Sequence, residues 1–307
     1  MNASLAAKQL RRIATHRYLY IMVLPCLLFF AIFNYIPMAG LLLAFKEYKF
    51  NTTIFNSPWV GMEYFKRFFD DYQSGQLIRN TLVISCMKLL LGMPFPILLA
   101  LMFNEVRSKW FRGLTQSIMY LPHFLSWVII VGLMQRIFAP EIGIVNEVIK
   151  WFGGDGSTFF AMDAKYFYPM MFWSYIWQTI GWGSIIYYAA ITGINPNLFE
   201  AAKIDGANKW QEIRYVTLPS IMPTIVIVFI LSLGGIMTAG FDQLYLMRTP
   251  GNMHLSDVLD TYIIRVGIQS AQFGYATAVG LMQGLIGFVL VVLANRVTRK
   301  VSDNSLW

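Results

Sequence analysis

The chain's 307 residues predict an all-α membrane protein of six transmembrane helices, on three grounds. Hydrophobic residues make up 57% of the chain and charged ones only 13%, where a soluble domain carries about 25% charged residues. A water-facing shell of ordinary composition cannot be assembled from that. The apolar residues also gather into long stretches without Asp, Glu, Lys or Arg, and the 24 Lys and Arg lie almost entirely between those stretches. Six spans of about 20–25 residues use roughly 120–150 positions. That leaves modest loops and excludes a nucleotide-binding or catalytic soluble domain inside the chain.

A basic segment, 1–17, comes first. The first span, 18–45, is 28 residues without a charge; that length, with no small-residue cleavage pattern after it, argues against a cleaved signal peptide. The second span, 80–104, is interrupted only by Lys88. The third is 113–135, the fourth 166–199, the fifth 215–241 and the sixth 266–295. Each run reads as a span because an Asp, Lys or Arg at the bilayer centre costs about 2.5–3.5 kcal/mol. The membrane domain therefore covers 18–295, and 296–307 form a tail. Pro25 and Pro37 in the first span and Pro94 and Pro96 in the second remove backbone donors and are expected to kink their helices. Gly181 and Gly183, Gly234 and Gly235, and Gly280, Gly284 and Gly287 permit close helix approach.

The loops set direction. Lys8, Arg11, Arg12 and Arg17, then Arg107, Lys109 and Arg112, then Lys203, Lys209 and Arg214, and finally Arg296, Arg299 and Lys300 place thirteen basic residues on one side. Ten others are spread over the longer loops of the opposite side. By the positive-inside rule both termini and the loops near 104–112 and 195–214 are cytoplasmic. The same dispersal argues against a nucleic-acid patch. Cys26 and Cys86 lie in apolar stretches, without a disulfide framework or CxxC site. His16, His123 and His254 are too scattered to form a metal cluster.

The loop from 195 to 223 carries the strongest local signal. Asn195 followed by Pro196 is a helix start, a capping side chain and then proline at the first helical position. Leu198, Ala201, Ala202 and Ile204 give this short helix an apolar surface, and Glu200, Lys203 and Asp205 keep it wet. Gly206 breaks it, and residues 210–215 form a second short helix before Leu218 and Pro219 enter the fifth span. Two short helices joined by glycine make a knob suited to a groove on a partner. An amphipathic loop lying on lipid headgroups is the other reading of the same pattern.

Glu200, Ala201, Ala202, Asp205, Gly206, Ala207, Leu218 and Pro219 resemble the EAA motif of permease subunits in bacterial binding-protein-dependent ABC importers. In that pattern EAA is followed by three residues, glycine, nine residues, an aliphatic residue, any residue, then LP. Gly206, Val216, Leu218 and Pro219 fill those places, with valine where isoleucine is common. The stretch LPCLLFFAIFNYIPMAGLLLAFKEY, 24–48, is similar to the carbohydrate-uptake branch, especially its LplB-like permeases. The resemblance implies the type I ABC importer permease fold in a bacterial cell membrane. It also implies a second homologous permease subunit, two cytoplasmic ATPase subunits and an extracytoplasmic solute-binding protein as partners. The loop 195–219 is then the coupling helix that docks on the ATPase, with Glu200 and Gly206 at the contact. ATP and magnesium belong to that ATPase, in keeping with the absence here of a GxxxxGK[ST] phosphate loop, and no cofactor or metal is expected in this chain.

A sugar path needs aromatic faces and hydrogen-bonding groups near mid-membrane. The fourth span supplies Trp173, Tyr175, Trp177, Gln178, Trp182, Tyr187 and Tyr188, although an interfacial aromatic belt would use the same residues. Lys88, eight residues into its run, lies roughly 12 Å below the outer end at about 1.5 Å per residue. It either faces the path or snorkels outward. LplB-like permeases resemble those serving alginate or pectin fragments, so the resemblance implies an oligosaccharide containing uronate residues. Residues 242–265 read as a long turn-rich outer loop; in maltose-type importers the corresponding region probes the binding protein. The outer loops 46–79 and 136–165 offer alternative docking surfaces.

Two other classes compete. A membrane-embedded enzyme requires acidic or histidine pairs near a membrane face, and the best available, Asp70 with Asp71 and Asp257 with Asp260, fall in outer loops without accompanying histidine clusters. A proton-driven carrier normally shows internal repeats and acidic residues within spans, and neither is visible. Within the importer class the rival is an amino-acid or phosphate-type permease.

Overall fold

The computed structural model describes residues 15–49 and 53–301; Lys8, Arg11, Arg12 and the tail from 302 onward lie outside the described residues. Among these residues the secondary structure is helical, apart from one isolated antiparallel bridge between Lys46 and Trp59. Four helices are long and apolar enough to cross a membrane: α1 (Arg17–Phe45), α3 (Ser74–Glu105), α9 (Lys209–Leu233) and α13 (Phe273–Val301). The bent pair α4 (Lys109–Phe124) and α5 (Trp127–Ile137) is long and apolar enough for a fifth crossing when taken as one broken span. The fourth expected span is α7 (Ala164–Thr192), which is long enough at 29 residues but carries three tryptophans and five tyrosines. Short helices fill the connections: α2 (Glu63–Asp70), α6 (Ile144–Trp151), α8 (Pro196–Ile204), α10 (Phe241–Met247), α11 (Met253–Ser256) and α12 (Leu259–Ile264).

Three spans depart from the charge-free runs. The third is broken by a 98° bend. Pro122 tightens the end of α4 into a 3₁₀ turn, Leu125 and Ser126 are extended, and a new helix starts at Trp127. The amide of Gln178 on α7 donates to the carbonyl of Leu125 at 3.3 Å, supplying a partner that the broken helix lacks. The fifth helix stops at Leu233, ahead of Gly234 and Gly235, and the chain turns through Gly240 at φ +94°. The sixth begins at Phe273; residues 266–269 instead continue α12 as a π-helical turn, and Ala271 at φ +54° redirects the chain. Uncharged polar residues make that break, so a scan for charges passes over it.

Residues 242–265 are not an open loop either. Leu244, Val258 and Leu259 are completely buried, and α10 to α12 pack back into the bundle against α3, α7 and α13. Asn80 on α3 donates to the carbonyls of His254 and Asp257, both at 2.9 Å. Arg265 pairs with Asp257 at 2.7 Å. Charges that read as solvated are therefore spent on one another, which lets the segment leave water.

Helices α3 and α7 pack along each other, with Phe95 edge-on to Phe172 and Ala100 buried beside Tyr187 and Ile191. Helix α13 crosses α9 so closely that a Cβ on Gly287 would lie 2.6 Å from the carbonyl oxygen of Gly234. By contrast, α1 buries no residue over Arg17–Phe30; it joins the bundle only through its last turns, which lie against α13.

Candidate functional site

A cavity of about 810 Å³ opens between α3, α7, the end of α9 and the turn at 235–240. Lys88 stands on its wall. Helix α3 begins at Ser74, six residues before the charge-free run, so Lys88 sits roughly 21 Å along a helix of roughly 48 Å, deeper than the run alone implies. Its ammonium turns inward: Nζ donates to the carbonyl of Ala239 at 2.7 Å and lies 4.9 Å from the centroid of the Tyr175 ring. Gly240 is required beside it, because a Cβ there would come 3.0 Å from Nζ and φ is +94°.

Behind Ala239 stands a residue that sequence reasoning missed in this role. The Asp260 carboxylate accepts the N–H of Ala239 at 3.0 Å and the amide of Gln283 at 2.7 Å. Gln283 also donates to the carbonyl of Met237 at 2.6 Å. Asp260 and Asp257 thus serve separate networks and do not form a facing acid pair. Ser85, one turn before Lys88, also lines the cavity, and its buried hydroxyl has no hydrogen-bond partner. The i, i+3 spacing from Lys88 would have identified Ser85. The sequence offers Asp260 only as a loop acid beside Asp257, and because its segment reads as loop nothing places it behind the cavity. Among the described residues no cluster of His, Cys, Asp and Glu is arranged to hold a metal ion.

Of the path residues expected on α7, Tyr175, Trp182 and Tyr187 line this cavity with Lys88, and Tyr188 does not. The Trp182 ring stacks on His123, with centroids 4.6 Å apart and planes 4° from parallel. Trp173 and Trp177 point away from the cavity, 57% and 48% exposed on the outer surface of the chain. Gln178 is buried at the bend of the third span.

The loop 195–219 forms a separate feature at one end of the bundle. Asn195 caps α8, its side chain accepting the N–H of Asn197 at 3.0 Å, and Pro196 occupies the first turn. Helix α8 ends in a Schellman pair: Ala207 N–H donates to the carbonyl of Ala202 at 2.9 Å and Gly206 N–H to that of Lys203 at 3.1 Å. Gly206 adopts φ +78°, and nothing lies within 4 Å of the place a Cβ would occupy, so conformation and not crowding demands glycine. Asn208 and Gln211 cap the next turn reciprocally. Lys209 then joins Glu212 at 2.9 Å and Glu105 of α3 at 3.3 Å. Glu200, Ala201, Asp205 and Gly206 are exposed, as are Ile204 and Trp210, while Ala202 and Ala207 are half-buried. Leu218 packs beside Ala100, Tyr187 and Ile191, and Pro219 opens the α-helical part of α9 after the π-helical stretch Glu212–Thr217.

Residues 92–303 match the family of binding-protein-dependent transport system inner membrane components. The chain belongs to this family. It is a multi-pass membrane permease component with the type I fold, and not an enzyme. This inner membrane component is 39% identical to the polygalacturonan/rhamnogalacturonan transport system permease protein YteP of Bacillus subtilis, over 96% of this chain and 92% of that protein. It is 38% identical to the protein LplB of the same organism, over 95% and 91%. A solved chain of a bacterial ABC transporter involved in the import of the acidic polysaccharide alginate superposes with a TM-score of 0.87. That chain is 41% identical, with 96% of this chain and 99% of that one covered. A related structure of an alginate ABC transporter, in complex with an alginate pentasaccharide-bound periplasmic protein, gives the same TM-score at 40% identity.

Proposed function

We propose that this inner membrane component forms the translocation path of an ATP-driven importer of acidic oligosaccharides. The observation that carries the reading is Lys88. An ammonium has three donors, only one hydrogen bond holds this one in place, and the unpartnered Ser85 hydroxyl lies on the same cavity wall. Those groups suit a carboxylate and hydroxyls, and Tyr175 and Trp182 offer aromatic surface for sugar rings. The named substrates of the relatives, polygalacturonan, rhamnogalacturonan and alginate, support the same class.

Coupling to the motor falls to the exposed α8 knob, with Glu200, Ala201, Ala202, Asp205, Gly206 and Ala207 toward a cytoplasmic ATPase and Leu218 and Pro219 anchoring it to α9. The basic loops support a cytoplasmic position for this end and for both termini. ATP and magnesium are bound by that ATPase. A second, homologous permease completes the path, a reading supported by the unburied length of α1, and an extracytoplasmic binding protein delivers the sugar. The test is uptake by cells carrying Lys88→Met. Acidic oligomers are expected to lose uptake by tenfold or more, about 1.4 kcal/mol, while neutral oligomers of equal length are retained. Equal uptake of both, unchanged from the unaltered protein, overturns the role of Lys88.

A further inference from the structure

Asp260 stands where it senses the cavity without touching what enters it. Its oxygens are taken by the N–H of Ala239 and the amide of Gln283, and the N–H of Gly240 also points at it. Ala239 and Gly240 line the cavity and Asp260 does not. One residue thus separates the two charges: the carbonyl of Ala239 faces Lys88 and its N–H faces Asp260. The last span holds this arrangement rigid through Gln283, which also ties the carbonyl of Met237.

We propose that Asp260 is a specificity-setting residue that limits how tightly the cavity holds an acidic sugar, by opposing the charge of Lys88 from behind the backbone. The proposal rests on the reading of Lys88 as the group that meets the sugar carboxylate. A lone buried ammonium would trap an anion, whereas passage requires binding strong enough to enter and weak enough to leave. Two carboxylates about 8 Å apart at an effective dielectric of about 20 repel by an amount equivalent to roughly 30-fold in affinity. Neutral oligosaccharides feel no such term, so Asp260 sets the acidic-to-neutral preference as well as the rate of release.

The experiment uses the complete transporter reconstituted in nanodiscs, with equilibrium binding of tetragalacturonate and of neutral galactotetraose. Asp260→Asn is expected to tighten tetragalacturonate by about tenfold or more, slow its transport and leave galactotetraose unchanged. Gln283→Lys, which neutralises Asp260 from the far side while leaving its bond to Ala239, is expected to act in the same direction and keeps the test open if Asp260→Asn fails to fold. The electrostatic account also requires Asp260→Asn to tighten the acidic sugar by a similar factor in a Lys88→Met background. A purely structural Asp260 would instead weaken both sugars together. Weaker or equal acidic binding in both single variants, or equal shifts for the two sugars, overturns the proposal. If Lys88→Met alone leaves the acidic-to-neutral ratio unchanged, the underlying reading of Lys88 fails instead.

Discussion

Replacing Gly206 by valine separates the knob's shape from the rest of the molecule. At φ +78° an L-residue costs about 1–2 kcal/mol, and a β-branched one lies at the upper end. No neighbour lies within 4 Å of the added Cβ, so the strain cannot be blamed on crowding and is relieved only by rotating the chain. Rotation breaks the two hydrogen bonds that close α8, Ala207 to Ala202 and Gly206 to Lys203. Exposed to water, each contributes about 0.5–1.5 kcal/mol. On the proposed coupling role, an ATPase docking on α8 would have to reimpose a conformation that costs roughly 2 kcal/mol, which corresponds to about 30-fold weaker docking. Because the knob is exposed, the melting temperature of the permease should hardly move. The assay is co-purification of the ATPase with Gly206→Val and Gly206→Asn permeases from membranes, alongside uptake. Asparagine tolerates the left-handed region, so Gly206→Asn is expected to retain most of the ATPase. Wild-type co-purification and uptake by Gly206→Val would refute the reasoning.

Three further outcomes follow from the geometry. A Cβ on Gly181 would sit 1.9 Å from the backbone oxygen of Met119, so Gly181→Ala should push α4 off α7, cost about 2–3 kcal/mol and lower the melting temperature by several degrees; an unchanged melting curve contradicts that packing. Lys209→Met removes the ion partner of Glu212, whose side chain is 6% exposed against 65% for the lysine, and discounting for that exposure the loss is about 1 kcal/mol. Lys209→Arg should restore it, and failure of the arginine to do so would assign the effect to something other than the pair. Trp182→Ala should weaken sugar binding by about 0.5–1.5 kcal/mol, several-fold, while Trp173→Ala, directed away from the cavity, should change it less; the reverse order in a binding titration would place the path elsewhere.

The spans were legible because hydrophobic length and charge avoidance are written along the chain, and most of their starts and ends lie near the edges of charge-free runs or within them. Their breaks were hidden for the same reason. Pro122, Ser126, Gly234, Gly235 and the stretch 269–272 carry no charge, so a bend there costs nothing that a charge scan can see. The bounds of α8 could be read almost to the residue, since Asn195, Pro196 and Gly206 act through local backbone chemistry that needs no tertiary context, but the second short helix expected at 210–215 is instead the opening of α9, which runs on from Lys209 through Leu218 and Pro219. The opposite held for 242–265. Arg265 and Asp257 look solvated until the fold brings them to 2.7 Å, and Asp260 gains its meaning only from Ala239, Gln283 and Lys88, which lie far from it in sequence. On α7 the aromatic residues all stood in view, but which of them faced the cavity depended on how α3 packed against that helix.

The central claim is that this permease carries acidic oligosaccharides and drives their import through a partner ATPase. It is tested most directly by ATP hydrolysis in proteoliposomes containing the complete transporter and its binding protein, titrated with oligouronates and with neutral oligosaccharides of matched length. The account predicts hydrolysis stimulated by oligouronates well above the level reached with neutral sugars. Stimulation by neutral sugars alone, or by a non-sugar solute in place of both, would contradict it.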